Sequence, residues 1–422
     1  VITRLDAERL DAADPLAPFR DRFVLPEGLV YLDGNSLGAL PKAAAARVAE
    51  VASREWGEGL VRSWNDAGWI DLPRRVGEKI GRLVGAAPGE VVCADSTSVN
   101  LFKVLSAALS LRPERRTILS EEGNFPTDLY VGEGLARLLD RGHRVRLVPK
   151  GALRDALDDD VAVLLLTHVD YRTGERHDMG ALTRAAHGAG ALAVWDLAHT
   201  AGAMPVDLGA AGADFAVGCG YKYLCGGPGA PAFLWVPGRL QASFSQPLSG
   251  WLGHAAPFAF ESSYRPAEGI ARFLCGTPPI LSMSALDAAL DVLLEADLDL
   301  VREKSEALTS FFVDAVEEAC GDAVRLVSPR EAPLRGSQVS FAHPDGYAVM
   351  RALIARGVVG DFRAPDVLRF GFAPLYVRFT DAWDAAGALA EVLSSHAHER
   401  PEFRRRSAVS RITGSTRAAG TP

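Results

Sequence analysis

The chain has 422 residues, 48% of them hydrophobic, which is enough to bury a large core and to form two domains. Its formal net charge of -8 argues against a nucleic-acid or anionic-membrane partner. No apolar run approaches the length of a membrane span, and the longest, 161–166, is strand-sized.

The first residues, Val1-Ile2-Thr3-Arg4-Leu5-Asp6-Ala7, alternate charge with apolar groups and hold no signal-peptide core, so a cytoplasmic location is expected. Residues 1–29 predict a helix and a Pro-punctuated connection. Val30 to Gly38 predicts a short strand running into a turn that contains Asn35, where a polar side chain near a strand end could meet substrate. A helix is predicted from Lys42 to Trp56, a polar aromatic loop at Ser63-Trp64-Asn65, and an amphipathic helix from Arg74 to Leu83. Val91 to Ala94 is strand-like, and Asp95-Ser96-Thr97-Ser98-Val99-Asn100 opens a helix to Leu109. Hydroxyls at such a junction cap the helix and leave backbone N–H groups free, a ready anion site; capping alone explains one of them better than three, so Thr97 and Ser98 are expected to hold a phosphate.

Arg116 to Ser120 predicts a strand that ends in the loop Glu121 to Asp128, with a helix from Leu129 to Leu139. Phe125 could stack on a flat ring and Asp128 could add negative charge beside it, although taken alone each reads more readily as an ordinary loop residue. Val145 to Val148 and Val161 to His168 are strands, the second buried throughout by its continuous apolar run. Strands alternating with helices over 90–200 predict βαβ units and a mostly parallel sheet, whose functional side lies at the strands' C-terminal ends. Thr97, Asp128, Thr167 and Asp196 all fall there. Ala232 to Val236 predicts an antiparallel closing strand, followed by loops around Trp251 and around Gly276-Thr277. Helices are predicted from Leu281 past Leu294, at Ser305 to Ala319, at Tyr347 to Ala355 and at Asp381 to Ser394, with strands at Gln338 to Phe341 and Val367 to Phe372. The tail from Pro401, with Arg404-Arg405-Arg406, is expected to be a disordered, solvated end. The five cysteines (Cys93, Cys219, Cys225, Cys275 and Cys320) lack metal-ligand spacing, so no metal is expected, and they read as buried thiols of a reducing compartment.

Two stretches carry the chemistry. In Gly218-Cys219-Gly220-Tyr221-Lys222-Tyr223-Leu224-Cys225-Gly226-Gly227-Pro228-Gly229, a lysine between two tyrosines leaves a short apolar strand, and glycines let the backbone approach a flat ligand. An amine partly desolvated among aromatic rings favours the free form that attacks an aldehyde. Taken alone, Lys222 is no more than a lysine at a turn. The second stretch, Ala191 to His199, is an apolar strand ending at Asp196, 26 residues before the lysine. A carboxylate at a buried strand end is costly unless a cation pairs with it, and a protonated pyridine nitrogen is such a cation. An Asp and a Lys so placed are the two groups that pyridoxal phosphate (PLP) chemistry asks for.

With these residues assembled, the chain from about Tyr31 to Leu393 resembles the kynureninases, fold-type I PLP enzymes of the aminotransferase class V group. The resemblance rests on Tyr31-Leu32-Asp33-Gly34-Asn35-Ser36-Leu37-Gly38, Phe125-Pro126-Thr127-Asp128, Asp196-Leu197-Ala198-His199, Tyr221-Lys222-Tyr223-Leu224 and Pro374-Leu375-Tyr376. It implies an α/β, aspartate aminotransferase-like fold: a large domain with a mostly parallel seven-stranded sheet plus a smaller α+β C-terminal domain. The expected divisions are an N-terminal segment 1–55 packing with the small domain, a PLP-binding domain 56–290, a small domain 291–400 and the tail 401–422. It also implies a cytoplasmic homodimer with active sites at the subunit interface, hydrolysing L-kynurenine to anthranilate and L-alanine.

By that resemblance, Lys222 matches the Schiff-base lysine and Asp196 the pyridinium partner. Thr97, Ser98, Tyr221 and Trp251 match positions around the phosphate. Phe125 and Asp128, within a motif that includes Pro126 and Thr127, match the ring-stacking and second-aspartate positions. Thr167, His199 and Thr277 match further cofactor contacts, Arg369 the clamp on the substrate's α-carboxylate, and Asn35 a substrate contact. Eukaryotic members carry Asn in place of Thr277 and His in place of Trp64; Trp64, Gly276 and Thr277 resemble the bacterial pattern, which prefers kynurenine over 3-hydroxykynurenine. Tyr221 is expected to relay protons. The alternatives are another class V enzyme, such as a cysteine desulfurase or an aminotransferase. A nicotinamide dehydrogenase is disfavoured because the third glycine of its fingerprint is missing after Gly218-Cys219-Gly220. A non-catalytic PLP-binding regulator lacks room for a DNA-binding module.

Overall fold

The computed structural model describes residues 2–244 and 246–406. The apolar runs form a seven-stranded sheet in the order Val91–Cys93, Phe233–Trp235, Phe215–Gly218, Leu192–Asp196, Val161–Thr167, Thr117–Glu121, Arg144–Val148. Side chains alternate between two cores: Val163 and Leu165 feed one face, Leu164 and Leu166 the other. Because both faces are covered, Val161–Thr167 is buried along its whole length.

Neighbouring strands pair in parallel except at Phe233–Trp235, which runs antiparallel to both of its neighbours. Expected as a closing strand, it lies one place inside the edge, between Phe215–Gly218 and Val91–Cys93. Thr167 and Asp196 are register partners at the last position of their two strands, so that end of the sheet gathers the loops that follow. The helix Thr97–Ser110 starts at the same end, its N-cap Ser96 accepting from Val99 N at 3.3 Å.

A second sheet, antiparallel throughout, orders Arg325–Leu326, Gln338–Ala342, Val367–Gly371 and Asp361–Arg363. The N-terminal helix Arg4–Ala13 packs on the helix Phe379–Ser394, where Asp11 accepts from Phe379 N (2.6 Å), Thr380 N (3.1 Å) and Thr380 Oγ1 (2.7 Å). Val30–Tyr31 pairs in parallel with Val358–Val359. Buried Lys304 joins Asp14 at 2.6 Å.

Several expectations are corrected. The helix from Lys42 stays α-helical only to Glu50, then widens into π-type turns over Val51–Gly59. Ser63-Trp64-Asn65 belongs to a single helical turn, Ser63–Asp66, in which Ser63 Oγ donates to Glu55 O (2.6 Å) and Trp64 meets Trp69 edge-on. Phe125 to Asp128 is no open loop: Pro126, with its preset φ, starts the helix Pro126–Leu139 three residues earlier than expected. The helix expected at Ser305 spans Leu298–Cys320, because Asp297 caps it ahead of a polar turn that broke the apolar pattern. Cys275 and Cys320 are only half-buried, unlike Cys93, Cys219 and Cys225. Within the expected tail, Pro401–Arg404 is a helical turn and Arg404 meets Asp345 at 3.7 Å; residues 407–422 lie outside the described residues.

Candidate active site

A cavity of about 260 Å³ opens at the C-terminal ends of the parallel strands. Among its wall residues are Thr97, Ser98, Phe125, Thr127, Asp128, Thr167, Asp196, His199, Tyr221 and Lys222, so ten of the expected site residues meet in one place. Each arrives for a local reason. Ser96 takes the cap, which leaves Thr97 and Ser98 in the first helical turn beside unpaired backbone N–H groups. Thr167 and Asp196 end their strands, and Asp128 sits in the first turn of its helix. Lys222 follows the strand Phe215–Gly218, and its loop is pinned by Gly38 N donating to Tyr221 O at 2.9 Å.

Two carboxylates are buried here without a cation at ion-pair distance among the described residues. Asp196 Oδ1 accepts from Ala198 N at 2.7 Å; burial pushes this carboxyl above its usual range, and the charge of Lys222 opposes the push. Asp128 Oδ2 lies 3.3 Å from Thr167 Oγ1; burial first and the charge of Asp196 second raise it well above a normal carboxylate. His199 Nδ1 is buried without a hydrogen-bond partner, and burial, then Lys222, drives the imidazole well below its usual value. Tyr221 is raised, chiefly by burial, so its phenol keeps its proton at neutral pH. Nζ of Lys222 lies 5.8 Å from the ring centroids of both Phe125 and Tyr221. The second ring is therefore Phe125 and not Tyr223, which is buried and donates to Ser337 O at 2.8 Å.

These features fit a flat cationic ring carrying a phosphate. A pyridinium would answer the buried carboxylates, the Thr97–Ser110 helix N-terminus suits a phosphate, and the amine and the aromatic face supply the rest.

Other expected residues stand away from the cavity wall. Pro126 is used to start its helix. Asn35 is fully buried beside Gly371, its amide 2.9 Å from the Gln338 side-chain oxygen. Trp251 packs edge-on to Phe258 and stacks with Phe260, both exposed. Trp64 lies against Trp69, and Gly276 and Thr277 are exposed. Arg369 is buried and bonded to Asp361, Ser36 and the Tyr171 carbonyl. Conversely, Tyr171 lines the cavity edge-on to Phe125 and was not foreseen; an aromatic just past the end of a buried strand was the available signal. Asn124 was also missed: its Oδ1 accepts from Thr167 N (3.2 Å) and Thr167 Oγ1 (2.5 Å), fixing that hydroxyl.

Comparison with known proteins adds to this geometry. Residues 301–389 match the family described as Kynureninase C-terminal domain. Over 413 residues the chain is 58% identical to a kynureninase of Burkholderia pseudomallei (strain 1106a), covering 96% of this chain and 99% of that one. A kynureninase of Pseudomonas fluorescens is 55% identical over 413 residues, with the same 96% and 99% coverage. Among solved structures, the apo cysteine desulfurase of Thermococcus onnurineus NA1 superposes with a TM-score of 0.75 at 19% identity, covering 90% of this chain and 98% of that one. A cysteine desulfurase of Escherichia coli gives 0.74 at 22% identity, with coverage of 90% and 98%. At such identity the likeness speaks to fold alone, and it is the α/β fold expected from the sequence. Identity above one half to kynureninases, sustained over nearly the full length of both chains, means that this chain belongs to the kynureninase family.

Proposed function

We propose that the chain hydrolyses the Cβ–Cγ bond of L-kynurenine, giving anthranilate and L-alanine, with pyridoxal phosphate as its cofactor. The observation that carries this reading is one cavity holding an amine, two cation-seeking buried carboxylates and a helix N-terminus, in a chain of this family. The cofactor, when bound, supplies an electron sink for negative charge developing on the substrate carbons.

The chain's own residues divide the remaining work. Asp196, backed by Asp128, carries the counter-charge to the ring nitrogen, and Thr97 and Ser98 hold the phosphate. Lys222 Nζ takes the proton from the substrate's Cα. Tyr221, kept protonated by burial, gives its phenolic proton to the γ-carbonyl oxygen and recovers one from the water that adds there; as the resulting diol collapses and the Cβ–Cγ bond breaks, it passes the proton that the diol releases to the β-carbon. Arg369 binds the α-carboxylate by a charge-assisted hydrogen bond.

Assembly as a homodimer with shared sites is part of the same proposal. Trp251, Phe258 and Phe260 form an exposed aromatic cluster, and Trp56, Leu60 and Val61 are exposed as well, in keeping with a covered surface. Trp251, Gly276 and Thr277 would then reach the partner's cavity, and Trp64 would favour kynurenine over its 3-hydroxy analogue. A cytoplasmic location is proposed too; among the described residues no helix is long and apolar enough to cross a membrane.

A desulfurase reading needs a reactive thiol at the site, and none of the cysteines lines the cavity. The test is to add PLP and then kynurenine or cysteine. Anthranilate fluorescence with kynurenine, no sulfide with cysteine, and loss of both turnover and the visible cofactor band in Lys222→Ala support the assignment. Sulfide release, or an active Lys222→Ala enzyme, refutes it.

A further inference from the structure

Arg369 is 1% exposed, yet its guanidinium is shared among three separate parts of the chain. Nε donates to Asp361 Oδ1 at 2.7 Å and Nη2 to Asp361 Oδ2, a side-on pair between register partners on adjacent antiparallel strands. Nη2 also donates to Ser36 Oγ at 2.8 Å, and the Ser36 hydroxyl donates to Asp361 Oδ2 at 2.8 Å, which closes a triangle. Nη1 donates to the Tyr171 carbonyl at 2.7 Å, and Tyr171 is a wall residue of the cavity.

A guanidinium has five N–H donors. These contacts use four, and the donor left over is on Nη1, the nitrogen held against the cavity-lining segment. The side-on edge, the geometry in which Arg grips a carboxylate best, is taken by Asp361. Asp33, whose carboxyl also feels the Arg369 charge, is pushed up to about 7 by burial and then by Asp361, so it carries only part of a charge near neutrality. Asp361 Oδ2 also meets Arg363 Nη2 at 2.7 Å, so this carboxylate is shared between two guanidinium groups.

We infer that Asp361 and Ser36 are positioning residues that lock the Nε–Nη2 edge of Arg369, so that only its Nη1 end is offered to the α-carboxylate of an amino acid. The inference rests on the reading of Arg369 as the carboxylate clamp. It adds that recognition is end-on, and that a strand neighbour and a residue of the N-terminal segment set the angle of the fork. Without the lock the fork swings on a flexible stem, and the carboxylate loses its fixed partner while amine binding is unaffected.

The test compares two ligands of the PLP-loaded enzyme that differ only at the carboxyl group, L-alanine and L-alaninamide. Dissociation constants come from calorimetry and from the change in cofactor absorbance. The ratio of the two constants is internal to each protein, so a lowered active fraction or a general loss of stability does not move it. The parent is expected to prefer alanine and Arg369→Gln to lose that preference. Asp361→Asn should lower it about tenfold and Ser36→Ala about threefold, the scale of a charge-assisted hydrogen bond and of a neutral one. If Asp361→Asn does not fold, Ser36→Ala, which removes only a hydroxyl, decides the matter. A preference within about twofold of the parent in every folded positioning variant, or one that rises, overturns the inference. If Arg369→Gln itself keeps the preference, the clamp reading has failed instead.

Discussion

Thr167 and Asp196 leave the sheet side by side, as register partners at the last position of two parallel strands. The threonine hydroxyl reaches on to Asp128 Oδ2 at 3.3 Å, so both buried carboxylates are tied to one sheet edge. Asp196→Asn keeps an oxygen for the Ala198 N–H and therefore the local fold, while removing the counter-charge to a ring nitrogen. Turnover should fall on the order of 10²–10³-fold, the usual scale for losing a preorganised electrostatic contact in a dry site. Asp128→Asn, one step further from the ring, should lose about tenfold. Steady-state rates at saturating PLP check both, and an Asp196→Asn enzyme within tenfold of the parent would show that the carboxylate is not the electronic partner.

The same pair makes the cofactor-free protein sensitive to alkali. Burial raises both carboxyls in the fold, most of all Asp128, so the folded chain holds protons that the unfolded chain has released. Their contribution to stability is complete below the ordinary carboxylate value and is lost as pH rises through the elevated folded value. Apo Asp128→Asn should therefore gain on the apo parent as pH rises above the ordinary carboxylate range, by a few degrees in Tm. Loading with PLP should shrink that gap, since a cation then pays for the charge. Calorimetric scans at rising pH check it; a gap that narrows as pH rises in the apo protein contradicts the account.

Gly38 is where the N-terminal segment presses on the lysine loop. A Cβ there would lie 2.3 Å from the Lys222 carbonyl oxygen and 2.6 Å from Cys225 Sγ, both too close to tolerate without a shift. Gly38→Ala should destabilise by about 1–3 kcal/mol, the range for overpacking, and should weaken cofactor binding, because the displaced backbone is that of Lys222. Gly387 is a control: nothing lies within 4 Å of a Cβ at that helical position, so Gly387→Ala should be neutral or slightly stabilising. Urea melts and PLP titration of the two variants separate the effects.

What the sequence revealed, and what it hid, follows from the range of the interactions concerned. Val161–Thr167 and Leu192–Asp196 were legible because a strand buried on both faces writes its environment into a continuous apolar run. Lys222 and Asp196 were legible as a pair because each costs energy at a buried strand end unless chemistry answers it. The helix start at Pro126 was misplaced because Phe125-Pro126-Thr127-Asp128 looks like a turn until a helix is built on it. Asn124 and Tyr171 were missed because their partners, Thr167 and Arg369, are distant along the chain. Tyr223 was assigned to the wrong side: adjacent to Lys222, it points into the core because Ser337 offers its hydroxyl a partner there.

Gly276 and Thr277 give the last expectation. They are exposed, a Cβ at Gly276 meets nothing within 4 Å, and neither belongs to the wall that contains Lys222. If they contact cofactor and substrate from a second subunit, every active site combines Lys222 of one chain with Thr277 of the other. A Lys222→Ala chain and a Thr277→Arg chain should each be nearly inactive alone. In a mixed dimer one site receives both lesions and the other receives neither. Random re-pairing makes half the dimers mixed, with one good site of two, so activity should recover to about a quarter of the parent's per site. Unfolding and refolding the two variants together, with each refolded alone as control, gives the measurement. No recovery, despite mixed dimers confirmed by differently tagged chains, would mean that each subunit builds its site from its own residues.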